Sequence, residues 1–178
     1  MNNGLVTLLM FALGGLAAGR ALAVDVTPTG FLVRYELAIG APAEKVYDSL
    51  INVGSWWSEK HTYSGDSRNL SIDARAGGCF CEKLPNGSVE HMRVVFVTAN
   101  QALRMSGALG PLQASGVSGA MTWRLSPAAN GTKLELTYSV GGFMPGGFES
   151  IGPAVESVLR EQAERLKRFV ETGAPAGK

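Results

Sequence analysis

The sequence predicts an α+β domain in which a curved antiparallel β-sheet of about seven strands wraps around one long C-terminal helix. Three observations predict it. An alternating strand near residues 31–39 precedes a short helical segment, closely spaced strands follow from residue 68 onward, and an amphipathic helix comes last. One helix cannot fill so strongly bent a sheet, so we expect an apolar cavity between them.

Composition limits the classes of function. The chain has 178 residues, of which 46% are hydrophobic and 17% charged, which suits one folded domain with a short appendage. Sixteen Lys and Arg against fifteen Asp and Glu offer no electrostatic footprint for nucleic acid. Phosphate-loop, dinucleotide and GxSxG motifs are absent, and two histidines make no dense metal cluster. We expect neither a cofactor nor a metal.

Residues 1–23 have the pattern of a secretory signal peptide. An uncharged apolar run from Leu5 to Ala18 is shorter than the about 20 residues of a membrane span, and a small-x-small cleavage site ends at Ala23. The alternatives are an uncleaved anchor and a buried N-terminal helix. Cleavage removes Arg20 as the only charged side chain and leaves no stable membrane span. We therefore expect a periplasmic or secreted protein.

The domain boundaries follow from composition. Residues 29–172 contain no internal repeat and no linker, so they form one domain. A polar N-terminal extension, 24–28, precedes it. We expect the tail, 173–178, to be disordered.

The first half of the domain starts with a strand and turns into helix. Between Phe31 and Ile39, aromatic and branched residues alternate with others, which is typical of a strand. Pro42 suits the first turn of a helix over 43–51. A second short helix is predicted around 54–57.

Strands and one helix make up the rest. Ser150 is the candidate cap of the last helix, and Gly173 supplies its stop. The six strands are predicted near 68–75, 78–84, 89–98, 101–109, 117–126 and 131–140. The apolar stripe of the helix is Ile151, Val155, Val158, Leu159, Gln162, Leu166 and Phe169/Val170.

Three segments resemble the START-like, helix-grip superfamily, also called SRPBCC. APAEKVYDSLINVGSWW is similar to its first-helix segment, and AGGCFCEKLPNGSVEHMRVVFVTANQALRM and GTKLELTYSVGGF resemble the heat-shock ATPase activator-like branch. Polyketide cyclase/dehydrase-like proteins belong to the same superfamily. The resemblance covers roughly 29–172 and implies a helix-grip fold with a cavity for hydrophobic ligands. It implies no single chemistry, since members range from lipid carriers to cyclases.

Cys79 and Cys81 are the only cysteines. On a regular strand they share a face with Cα atoms about 6.6 Å apart, at the edge of disulfide geometry. Three interpretations stay open: thiols packed as small apolar residues, a strained or intermolecular disulfide, and a metal site with a nearby histidine.

The hairpin around Asn86-Gly87 predicts a register. If these two residues form the turn, Glu82 lies opposite His91 and Phe80 lies opposite Arg93, all on one face. Such a Glu–His–Arg group inside a cavity can orient a polar ligand head or supply acid and base. The alternative is a cross-strand ion pair at the sheet surface.

The opposite face of this hairpin pairs Lys83 with Glu90, as expected for a solvated face. The Phe80 face is therefore the predicted cavity side. A one-residue error in register would reverse both assignments.

Other candidates lie at the cavity mouth. Trp57 is predicted to line the pocket, with His61 and Tyr63 nearby, and an ordinary core tryptophan is the alternative. Phe143 and Met144 are candidate gating residues because glycines flank them on both sides. Turn geometry alone also explains those glycines.

These observations support three hypotheses. The first is an exported protein that binds a hydrophobic small molecule or lipid, with Trp57, Phe80, Arg93, Phe143 and Met144 among its contacts. The second is a cyclase, dehydratase or isomerase that uses Glu82 and His91 as an acid–base pair. The third is a protein-interaction module like the chaperone-activator branch. The sequence names neither the ligand nor a protein partner.

Overall fold

The computed structural model describes residues 24–176, so the predicted signal peptide (1–23) and the end of the predicted tail (177–178) lie outside it. The strands are β1 Val24–Thr27, β2 Gly30–Ile39, β3 Leu70–Ile72, β4 Cys79–Leu84, β5 Gly87–Thr98, β6 Ala102–Gly107, β7 Gly116–Ala128 and β8 Gly131–Phe143. The α-helices are α1 Ala43–Ile51 and α2 Ile151–Thr172. Short 3₁₀ turns occupy Val53–Ser55, Glu59–His61, Ser67–Asn69 and Gly110–Ala114.

The strands form one curved antiparallel sheet in the order β1-β2-β8-β7-β6-β5-β4-β3, with α2 packed against it. The predicted α+β architecture and its long C-terminal helix are confirmed. The segment expected as an extension contributes an additional edge strand, because Val24 to Thr27 pair with β2.

Helix α1 has the predicted bounds. It begins directly after Pro42 and buries Val46, Tyr47 and Leu50. A proline before the first helical residue loses no helical hydrogen bond, so the local sequence determines where α1 begins. A single 3₁₀ turn, Val53–Ser55, replaces the predicted second helix.

The two halves of helix α2 differ in how deeply their apolar side chains are buried. Leu166 and Val170 in its C-terminal half are fully buried, whereas Val155 and Val158 in its N-terminal half are only partly buried. The helix ends at Gly173, whose left-handed φ of 80° favours glycine. Ser150 occupies the N-cap position as predicted, but its side chain makes no capping hydrogen bond.

The β4–β5 hairpin differs from the predicted register. Leu84 pairs with Gly87, so the turn residues are Pro85-Asn86, and a bulge near Phe80 leaves His91 as an extra residue on β5. Consequently His91 and its neighbour Met92 are both buried. The predicted register is therefore wrong.

The bulge depends on a glycine in the neighbouring strand. Gly107 has φ of 150°, and a Cβ there would lie 2.9 Å from the backbone oxygen of His91. Any larger residue would push β5 away from β6 at this point. Gly107 thus permits the backbone approach that the bulge needs.

Cys79 and Cys81 form a disulfide. Their Cα atoms are 5.4 Å apart, which is shorter than a regular strand gives and lies within the range of disulfides. The interpretations as packed thiols and as a metal site are therefore wrong.

In residues 24–176, no helix is long and apolar enough to span a membrane. The same residues contain no group of three His, Cys, Asp or Glu side chains placed to hold a metal ion.

Candidate functional site

A cavity of about 350 Å³ lies between α2 and the sheet. Its wall is mainly apolar. The N-terminal half of α2 contributes Ile151, Ala154, Val155, Val158 and Leu159. Trp57, Leu70, Phe80, Leu109 and Pro111 contribute from the loops and the sheet. The cavity explains why Val155 and Val158 are only partly buried, since both face open space.

The polar groups of the wall are concentrated in one segment. Lys60, His61, Thr62 and Tyr63, here called the polar rim, are consecutive in the chain. Apart from this rim, His91 is the only titratable side chain in the wall. The cavity can therefore hold an apolar body and offers few points at which a polar group would be recognised.

Hydrogen bonds and ring packing hold Trp57 in the cavity wall. Its Nε1 donates to the carbonyl of His61 at 3.0 Å, and its ring packs edge-on against Phe80, with centroids 5.6 Å apart. The Arg165 guanidinium of α2 donates to the carbonyl of Trp56 at 2.8 Å. These contacts fix the loop to both the sheet and the helix.

Glu82 and His91 contact each other, as the sequence suggested, although not as directly opposed residues. Nε2 of His91 lies 2.9 Å from Oε2 of Glu82. The backbone N–H groups of Tyr63 and Ser64 donate to the same carboxylate at 3.1 and 2.5 Å. The carboxylate is completely buried, yet it accepts three hydrogen bonds.

These hydrogen bonds set the charge states. Burial by itself would raise the pKa of Glu82, but the bonds from Ser64, Tyr63 and His91 outweigh it and lower that pKa. Burial lowers the pKa of His91 below 6.5, against the opposing effect of Glu82. At neutral pH the pair consists of a carboxylate and a neutral imidazole.

Aromatic rings hold the His91 imidazole from two sides. The Tyr63 ring stacks on it with centroids 6.0 Å apart, and the Phe80 centroid lies 5.0 Å away. Tyr63 itself is 54% exposed, so it covers the imidazole from the solvent side. The ring orientation of His91 is therefore fixed by packing as well as by Glu82.

Tyr138 supports the other side of the wall. Its hydroxyl accepts from the backbone N–H of Leu109 at 3.1 Å and donates to the carbonyl of Gly107 at 3.2 Å. Burial raises the pKa of Tyr138 to about 12. Tyr138 therefore positions the loop that carries Leu109 and Pro111 to the cavity.

A second His–Glu pair lies at the polar rim. Nε2 of His61 is 3.2 Å from Oε2 of Glu161, and the two side chains are 31% and 41% exposed. Hydrogen bonds from His61 and Ser58 lower the pKa of Glu161 despite the opposing effect of burial. This pair has the same chemistry as Glu82–His91 in a more solvated setting.

Four predicted site residues are not in the wall. Glu82 is fully buried and is connected to the wall only through His91. Arg93 is exposed and pairs with Glu90, because the bulge turns it to the outer face. Phe143 ends β8 with 73% of its surface exposed. Met144 is half-buried and packs beside Ser115, whose hydroxyl donates to its sulfur at 3.4 Å.

The sequence reasoning missed several contributors to the wall. Leu109, Pro111 and the supporting Tyr138 lie far from the β4–β5 hairpin in the chain. The apolar stripe of α2 carried a signal, but its periodicity does not distinguish residues facing a cavity from residues facing a filled core.

Fold and cavity together define a helix-grip protein of the START-like, or SRPBCC, class. Residues 31–171 match the sequence family described as polyketide cyclase/dehydrase and lipid transport, and the chain belongs to that family. Curated protein sequences give no significant match.

Solved structures share the fold. A conserved protein of unknown function, EF2215 from Enterococcus faecalis, is 17% identical, with a TM-score of 0.61 over 85% of this chain and 78% of that one. Aha1 from Colwellia psychrerythraea, solved as a dimer, is 16% identical, with 0.59 over 80% and 97%. CalU16 from Micromonospora echinospora is 17% identical, with 0.53 over 86% and 85%. At these identities the likeness concerns the fold alone.

Proposed function

We propose that the chain is an exported protein that binds one hydrophobic small molecule or lipid in the cavity between α2 and the sheet. The observation that carries this proposal is the mainly apolar cavity of about 350 Å³ beneath the N-terminal half of α2. Burying apolar ligand surface there gains about 25 cal/mol per Å². Membership of a family described by cyclisation and lipid transport supports a hydrophobic ligand.

A cavity-filling variant tests this proposal. 2-Methoxynaphthalene, an apolar fluorescent probe, is titrated into protein purified without reductant. Val158→Trp places an indole in the wall, whereas Ser157→Trp adds the same group at the adjacent exposed position. We expect saturable one-to-one binding by the wild type and by Ser157→Trp, and at least about tenfold weaker binding by Val158→Trp. Equal binding by the two tryptophan variants would contradict the proposal.

One feature supports export. Disulfides persist mainly in oxidising compartments, and Cys79 and Cys81 are joined. Intact mass spectrometry of the protein from the exported fraction should show the loss of residues 1–23 and of two hydrogen atoms. A full-length, fully reduced protein would contradict export.

Acid–base catalysis is the second candidate, favoured by the contact of buried Glu82 with His91, which lines the cavity. A carboxylate that orients an imidazole is a common arrangement for general acid–base chemistry. Native mass spectrometry identifies any molecule retained from the host, and incubation with fresh protein follows its fate. An enzyme would convert it, and Glu82→Gln would slow conversion about 10²-fold or more. A carrier would return it unchanged.

A further inference from the structure

The Glu82–His91 contact determines which nitrogen of the imidazole carries the proton. An ionised carboxylate only accepts hydrogen bonds, so it must receive one from Nε2 of His91. In a neutral imidazole only one nitrogen carries a proton. The other nitrogen, Nδ1, is then left with a lone pair and acts as an acceptor.

Nδ1 of His91 has no hydrogen-bond partner among the described residues. It is nevertheless not sealed in the protein, since the only buried side-chain nitrogen or oxygen without a partner in residues 24–176 is Nε2 of Gln162. His91 as a whole is only 6% exposed and lies in the cavity wall. Because Tyr63 covers the imidazole from the solvent side, we assign the open space at Nδ1 to the cavity.

The neighbourhood of Nδ1 limits what can bind it. A ligand carboxylate would bring its negative charge towards a lone pair and towards buried Glu82, which repels it. An ether or ketone oxygen has no proton to donate. Lys60, the cation of the polar rim, is exposed to solvent. An ion pair between Lys60 and an anionic ligand would therefore add little binding energy.

We propose that the ligand carries a hydroxyl group on an apolar skeleton, as a phenol or an alcohol does, and that Nδ1 of His91 accepts the hydrogen bond from this hydroxyl. This inference rests on the proposed binding function of the cavity. The apolar wall would select the skeleton, and His91 would orient it. Glu82 acts through His91 by fixing its tautomer, so it is a positioning residue.

A matched pair of probes tests the inference. 2-Naphthol and 2-methoxynaphthalene share the same ring system, but only the first can donate a hydrogen bond. We expect the wild type to bind 2-naphthol about fivefold to tenfold more tightly at pH 7.5, the effect of one additional hydrogen bond. His91→Phe keeps a ring in the wall but removes the acceptor, so its preference should fall to about one. Glu161→Gln changes the second His–Glu pair at a residue outside the wall and should keep the wild-type preference.

The outcomes separate this inference from the function it rests on. If the wild type binds both probes equally, the cavity function stands and the hydroxyl inference fails. If it binds neither probe, the proposed function itself fails. Tighter binding of 2-naphthoate than of 2-naphthol would also overturn the inference and point to Lys60. The wild-type comparison is decisive even if His91→Phe does not fold.

Discussion

Two His–Glu pairs each contribute their histidine to the same cavity wall, and the pairs differ in burial rather than in chemistry. The Glu82 carboxylate accepts three hydrogen bonds with no exposed surface, whereas the Glu161 side chain is 41% exposed. A solvated pair contributes little because water competes for both charges. A buried carboxylate is tolerated only when its oxygens are bonded, so removing it leaves donors unsatisfied. The comparison teaches that the same two residues serve as a surface contact or as an organising centre, depending on their solvation.

Removing each carboxylate should give the largest difference. Glu82→Ala leaves the N–H groups of Tyr63 and Ser64 without an acceptor and opens space in the sheet wall. We expect it to lower the free energy of unfolding by about 3 kcal/mol, and Glu161→Ala by less than about 1 kcal/mol. Urea unfolding monitored by circular dichroism measures both. Equal losses would show that burial does not distinguish the pairs.

Loss of the disulfide beside the buried pair should lower the free energy of unfolding by the next largest amount. It spans the bulge that places His91 beside Glu82. Cys81→Ser should cost about 1–2 kcal/mol of unfolding free energy, since the closed loop is very short. Limited reduction of the wild type should lower its free energy of unfolding by the same amount. The same treatment should leave the stability of Cys81→Ser unchanged. A loss of stability on reduction of Cys81→Ser would contradict this assignment.

Glu82→Gln tests whether the Glu82 carboxylate fixes the tautomer of His91. In Glu82→Gln the amide can donate to Nε2 of His91, so the proton is no longer held on that nitrogen. We expect the preference for 2-naphthol over 2-methoxynaphthalene to fall to about one, whereas Glu161→Gln should keep it. The ratio of the two dissociation constants from fluorescence titration is the readout. An unchanged ratio in Glu82→Gln would show that Glu82 does not fix the tautomer of His91.

Mild acid should reveal the smallest effect. The pKa of His91 is lower in the folded state than its ordinary 6.5, so below pH 6.5 the unfolded chain binds more protons and stability falls as pH falls. The pKa of Glu82 is lowered too, but its contribution is lost only below pH 4.5. Glu82 and Tyr63 are the titratable side chains that contact His91.

We therefore expect the wild type to lose stability between pH 7 and pH 5.5, because the folded state resists the protonation of His91. This loss should be smaller in His91→Phe, which has no imidazole there to protonate. His61→Phe retains the buried pair and should lose as much as the wild type. Urea midpoints at the two pH values give the comparison. An equal loss in His91→Phe would assign the effect to other groups.

The sequence predicted the parts of the fold that local signals control. Helix α1 follows from Pro42 and its apolar spacing, and α2 ends where Gly173 adopts a left-handed φ. The order of the strands follows from their turns. Export and the nature of the ligand are not tested by the fold, so they stay predictions.

The site was predictable only in part. The contact between Glu82 and His91 was expected, but from a register that is wrong. Its true origin is a bulge that Gly107 permits from another strand, a tertiary effect that alternation within one hairpin does not encode. The same bulge turned Arg93 to the outer face.

The most direct test of the account is nitrogen NMR of the imidazoles, since the chain contains only two histidines and His61→Phe assigns them. At pH 7.5 the account predicts that His91 is neutral with its proton on Nε2. The Nδ1 resonance should shift on addition of 2-naphthol and stay in place with 2-methoxynaphthalene. A proton on Nδ1, or an Nδ1 resonance that 2-naphthol leaves unchanged while it binds, would contradict the account.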